Sequence, residues 1–166
     1  MNEPGCHSPD GARKILIMGI GNTLLQDDGA GVHVAERLRA STESIPGVTI
    51  IDGGTLGLSL LPELEDTTAL IVVDAGEIGG AAGEFRVFQN EAMDQQLSGK
   101  KSTVHELAMS DLLSAAVLNG HQPENRILVA IQPACIEWGL EPTAKVQQSI
   151  PVVCDLIDEM ARSCAA

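Results

Sequence analysis

Tyrosine is absent, and one Trp and two Phe are the only aromatic rings besides His. Aromatics at 2% exclude a ring-packed core, so the interior must be built from Ile, Leu, Val, Ala and Met. No apolar run approaches the ~20 residues that a membrane span requires. The N-terminal MNEPGCHSPDGAR has no apolar centre, which excludes a signal peptide and predicts a cytoplasmic chain. Basic residues are few: Lys and Arg number 10 against 23 Asp and Glu, for a net charge of −13. That balance excludes a nucleic-acid partner and an anionic membrane surface. The four cysteines, Cys6, Cys135, Cys154 and Cys164, contain no CxxC pair. Neither a zinc knuckle nor a disulfide framework fits that spacing, so reduced thiols are expected.

Motifs are also missing where the chain opens like one. The stretch IMGIGNTLLQDDGAGV (Ile17 to Val32) opens like a nucleotide loop, with an apolar strand followed by Gly19-Ile20-Gly21. The G-x-G-x-x-G fingerprint then requires a third glycine for close helix–strand packing, and that position is Leu24. Asp27 and Asp28 stand where a pyrophosphate would meet a helix N-terminus, and they would repel it. The Walker lysine is absent as well, so no nucleotide is expected. HExxH and GxSxG are not found, and no spacing pairs a Cys with a His as a nucleophile.

What remains is an alternation of strand and helix over 166 residues, a length suited to one domain. Residues 1–13 read as a flexible lead-in and 14–166 as a single α/β domain. Lys14–Ile20 is a continuous apolar run, as expected for a strand covered on both faces. Further strands are predicted at Val48–Asp52, Ala69–Asp74, Glu84–Phe88 (at an edge) and Arg126–Ile131. Helices are predicted near Ala30–Arg39, Ser59–Glu65, Val104–Leu118 and Thr143–Met160, with a kink or break at Pro151. This order implies a three-layer α/β fold around a mostly parallel sheet.

Ligands of such sheets bind beyond the carboxyl ends of the strands. Asp28 follows the first strand, Asp52 ends the second before Gly53-Gly54-Thr55, and Asp74 ends the third. Each alone is common, whereas three at one edge point to a site. Asp74 is the sharpest, because it closes the buried run Leu70-Ile71-Val72-Val73, where a charge is costly unless paired or metal-bound. Of the histidines, His7 is in the lead-in, and His33 and His121 read as surface residues. His105 follows Thr103, which with Glu106 forms a capping box. It therefore sits in a first helical turn, where the dipole favours the neutral imidazole that ligates metals. A further role for Asp27 and Asp28 is to cap the next helix. Carboxylates and one imidazole suit a divalent cation, with Zn, Ni, Mn and Fe all open on ligand type.

GIGNTLLQDDGAGV, DGGTLGLSLLPELE, ALIVVDA and HELAMSDLLSA, in this order, resemble the hydrogenase maturation endopeptidases. The likeness spans about Lys14 to Met160. It implies a twisted five-stranded sheet flanked by helices. It also implies an endopeptidase that removes the C-terminal extension of a nickel–iron hydrogenase large-subunit precursor. Matched residue by residue, the family's metal-contacting positions fall on Asp28, Asp74 and His105, which would also be the catalytic set. Asn22, Asp27 and the Asp52-Gly53-Gly54-Thr55 turn fall on supporting positions. The resemblance implies that nickel is supplied by the substrate, so the opening loop is expected to turn its carboxylates toward a cation. QPACIEWGLEP (Gln132 to Pro142) resembles proteases serving cytosolic NAD-reducing hydrogenases. A non-enzymatic nickel-binding checkpoint built on the same ligands is the alternative.

Overall fold

The computed structural model describes residues 13–41, 44–99 and 104–166. Five strands form one sheet: β1 (Ile15–Ile20), β2 (Val48–Gly54), β3 (Ala69–Ala75), β4 (Phe85–Gln89) and β5 (Asn125–Ile131). Their order is β2-β1-β3-β5-β4. β1 pairs in parallel with β2 and β3, and β3 pairs in parallel with β5. Only β4 is antiparallel, lying at the edge against β5. Every residue of β1 and β3 is buried, as their unbroken apolar runs require.

The four helices divide between the faces. α1 (Ala30–Ala40) and α4 (Ala144–Ala165) cover one, while α2 (Glu91–Leu97) and α3 (Val104–Leu118) cover the other with a 3-10 segment, Gly57–Leu64. Alternation along each strand sorts the side chains. Ile15, Ile17, Ile71, Val73, Val129 and Ile131 face α1 and α4. Leu16, Met18, Leu70, Val72 and Leu128 face α3 and the 3-10 segment. The first face is mostly β-branched and short. The second carries longer chains that reach a more distant layer.

Glycines set the closeness of α1. A Cβ on Gly31 would lie 2.1 Å from the Val73 carbonyl oxygen, and one on Gly19 would lie 2.2 Å from the Gly31 carbonyl oxygen. The close packing that a dinucleotide loop obtains at its third glycine is thus obtained here at Gly31, seven residues beyond Leu24. Gly21 turns the chain off β1 at φ 136°, where a Cβ would meet the Asp28 carbonyl oxygen at 1.9 Å.

Several expectations require correction. The segment over 59–65 is a 3-10 turn rather than an α-helix, with Pro62 inside it and its carbonyl accepting from Glu65 N. α2 has no counterpart in the sequence reading; its seven residues bury only Met93 and Leu97, too little periodicity to register. No break occurs at Pro151, because α4 continues through it to Ala165. The lost backbone bond, about 3 kcal/mol, is outweighed by the buried stripe of Val146, Ile150, Val153, Ile157 and Ala161. His33 is partly buried rather than on the surface. The lead-in through residue 12 and the Thr103 half of the capping box lie outside the described residues. No helix among the described residues is long and apolar enough to cross a membrane.

The close approach of α1 is testable. Gly31→Ala should cost about 2 to 4 kcal/mol, because backbone oxygens hem the site in from both β1 and β3. Thermal unfolding should shift down by roughly 5 to 15 °C. An unchanged transition would show that the fold does not depend on this contact.

Candidate active site

Asp28 and Asp74 meet at the carboxyl edge of the sheet, and His105 reaches them from the first turn of α3. A 3-10 turn, Gln26–Gly29, delivers Asp28 between β1 and α1. Neither carboxylate of this turn makes a side-chain cap bond to the helix, so capping does not account for the pair. Asp28 is buried; its Oδ2 accepts from Asn22 N at 3.0 Å and lies 3.0 Å from His105 Nε2. Asn22 in turn accepts Leu24 N on its Oδ1, which holds the loop closed.

Asp74 is buried and its Oδ1 is without a hydrogen bond. Burial is the largest influence on it and pushes its pKa up to about 8. The charge on His105 opposes that rise, while Asp28 and Glu106 add to it. His105 is raised, first by its hydrogen bond to Asp28 and further by the charges of Asp74, Asp28 and Glu106, against the effect of its own burial. Burial would raise Asp28, but the hydrogen bond and charge of His105 and the Asn22 amide outweigh it, and the carboxyl is lowered. At neutral pH the cluster therefore holds an ionised Asp28, hydrogen-bonded to His105, beside a protonated Asp74.

Glu106 is the member that sequence reasoning missed. Assigned to a capping box whose Thr103 half lies outside the described residues, it is also buried, and a Cβ on Gly76 would lie 3.3 Å from its Oε1. Its charge acts on both Asp74 and His105. The neighbouring His105 was a signal for it, but helix-start chemistry gave a simpler reading.

The supporting residues divide. Asp52 does not join the cluster; it is exposed, and its Oδ1 accepts Gly54 N at 2.8 Å to shape its own turn. Gly53 packs where a Cβ would strike Ile20 and Met18, and Gly54 needs φ 48°. Gly54 and Thr55 line an apolar cleft of about 120 Å³ beside His105, together with Ile20, Leu60, Ala108 and Met109. Asp27 faces away from the cluster, contrary to the expectation that both carboxylates turn to a cation. It is fully buried and accepts from Ala134 N, Cys135 N, Thr143 N and Thr143 Oγ1 at 2.6 to 3.1 Å.

Asp28 Oδ2 and His105 Nε2 can also serve one ion. Ligands about 2.1 Å from a small divalent metal and 3.0 Å from each other stand roughly 90° apart, as neighbours do in square or octahedral sites. The unpaired Asp74 Oδ1 is a third donor, and the second oxygen. As they stand, no three His, Cys, Asp or Glu side chains among the described residues are placed to hold a metal by themselves. Engaging one requires a His105 Nε2 that carries no proton and a shift of at least one carboxylate.

Fold and cluster together define a three-layer α/β protein with a buried acidic site completed by histidine. A family model described as hydrogenase maturation protease matches residues 32–159. The hydrogenase expression/formation protein HupD of Rhizobium leguminosarum bv. viciae is 36% identical over 156 residues, 93% of this chain and 77% of that protein. The hydrogenase 2 maturation protease of Escherichia coli is 34% identical over 135 residues, 80% of this chain and 82% of that protein. The structure of the hydrogenase maturating endopeptidase HybD from E. coli superposes with a TM-score of 0.85 at 30% identity, covering 90% of this chain and 93% of that one. The chain belongs to the hydrogenase maturation protease family. It is a peptidase, and the non-enzymatic reading falls away.

Two predictions follow from the electrostatics. Asp74 ionises near 3.8 when unfolded and near 8 when folded. Between those values the folded state keeps a proton that the unfolded state has lost, so stability falls as pH rises. His105 acts in the same sense, since its raised pKa contributes stability below its unfolded value of 6.5 that is lost as pH rises through the folded one. Asp28, lowered, contributes above 3.8 and loses that contribution as pH falls through its folded value. Asp74→Asn should therefore raise the melting temperature by several degrees near pH 8, with a smaller gain near about pH 5. An equal gain at both values would refute the buried-proton assignment.

Asp27→Asn places an amide donor against N–H groups. The cost should be about 3 kcal/mol, and amide hydrogen exchange at Ala134, Cys135 and Thr143 should accelerate selectively. Unchanged protection at these three amides would show that Asp27 does not hold the loop.

Proposed function

We propose that this peptidase removes the C-terminal extension of a nickel–iron hydrogenase large-subunit precursor once nickel has been inserted. The observation that carries the reading is the pairing of Asp28 with His105 beside a buried Asp74 that has an unpaired oxygen, in a chain of this family. Nickel is cargo here, carried by the precursor. Asp28, Asp74 and His105 supply nitrogen and oxygen contacts on the open side of that ion, which draws the scissile segment to them. A side chain flanking the scissile bond fits the apolar cleft lined by Ile20, Leu60 and Met109.

Hydrolysis needs a water whose oxygen attacks the peptide carbonyl and a proton for the departing amine. The precursor's ion would supply Lewis acidity toward that water; Asp28 is placed to take the water's proton, and the protonated Asp74 lies within the same charge cluster as a source for the nitrogen. Without nickel, nothing offsets the cost of separating the Asp28–His105 pair, so cleavage becomes conditional on metal loading. The work is placed in the cytoplasm, with no nucleic acid or membrane partner.

Intact mass spectrometry of the precursor tests this. With the nickel-loaded precursor the mass should fall by that of the extension; with the nickel-free precursor it should not. Asp28→Ala, Asp74→Ala and His105→Ala should each abolish processing while the protein remains folded by circular dichroism. Processing of the nickel-free form, or wild-type rates in the Asp74 and His105 variants, would overturn the proposal.

A further inference from the structure

The only tryptophan of the chain is not in the core. Trp138 is 81% exposed, and Leu140, Leu24 and Ile136 around it are 67%, 48% and 47% exposed. Single exposed leucines are ordinary, whereas a tryptophan within a group of large apolar residues marks a contact surface. The patch belongs to the segment between β5 and α4, whose exposed Glu137 and Glu141 alternate with the apolar residues.

This segment is held firmly. Asp27 ties both of its ends through Ala134, Cys135 and Thr143. Gly139, next to Trp138, donates to Leu24 O and accepts from Gln26 N, and it bridges Leu25. The tryptophan thus stands on backbone pinned to residues 24–27, and the next residue is Asp28. A ring presented on a pre-ordered loop loses little conformational freedom when it is covered. Leu24 and Gln26, which hold Gly139, belong to the same short loop as Asp28, so a precursor bound at Asp28 brings its folded body near this ring.

We infer that Leu24, Ile136, Trp138 and Leu140 form a docking platform for the folded body of the precursor, separate from the contacts made to its scissile segment. The inference rests on the processing role proposed above. The surface it fits is an apolar pocket rimmed by basic side chains, complementary to Glu137 and Glu141.

The test compares wild-type protein, Trp138→Ala and Trp138→Phe. Affinity for the precursor is measured by titration without turnover, and processing by mass spectrometry over a range of precursor concentrations. Trp138→Ala should weaken binding and raise KM at least tenfold while kcat stays within twofold, and Trp138→Phe should recover most of the loss. The same loss of affinity is expected with large subunit that lacks the extension. The platform is overturned if Trp138→Ala leaves affinity and KM unchanged, or if kcat falls with KM unaffected. It is also overturned if the substitution abolishes only self-association of this chain. Binding that depends on Trp138 without any cleavage by wild-type protein would overturn the processing role and leave the platform standing.

Discussion

The burial of three carboxyl groups around one imidazole is the constraint on which this site depends. Asp28, Asp74 and Glu106 are buried at the carboxyl edge of the sheet around the partly exposed His105. Three carboxyl groups so placed cannot all be ionised at an acceptable cost. Pairing and burial set one solution: Asp28 bonds His105, and burial pushes the Asp74 pKa up to about 8. The arrangement is tolerable in the resting protein and easily disturbed, because one Asp74 oxygen remains unpaired.

The backbone is built to bring these groups together. Parallel strands put the ends of β1 and β3 at the same edge, and close seating of α1 on Gly19 and Gly31 carries the Asp28 turn inward. α3 begins at that edge, with His105 in its first turn. The two adjacent aspartates then part in purpose. Asp28 faces the cluster, while Asp27 faces the segment after β5 and fixes it with three N–H groups and one hydroxyl. One carboxyl side chain joins the cluster and the next holds a loop, one peptide apart.

Local pattern was enough to read some of this and not the rest. The strands were legible because an apolar run covered on both faces has few alternatives, as in Leu70-Ile71-Val72-Val73. Asp74 stood out for the same reason, being a charge at the end of such a run. α2 was not legible, because two apolar residues in seven do not make a period. The continuity of α4 through Pro151 was not legible either, since the stripe that outweighs the missing bond is stabilising only once it is packed against the sheet.

The amino-acid sequence by itself determined the layered α/β architecture, the strand ends that carry Asp28 and Asp74, the helix start that carries His105, and the absence of a nucleotide fingerprint. These follow from spacing and from the chemistry of single residues. Only the tertiary structure decided that Asp27 turns away from Asp28, that Glu106 is buried, that Asp52 stays outside the cluster, and that Trp138 is presented on a pinned loop. Each of these depends on partners distant along the chain: Asp27 on residues 134 to 143, Glu106 on the exit of β3, and Trp138 on Leu24 through Gly139. Long-range pairing is set by the packing of the whole sheet and its helices, and no local periodicity records it.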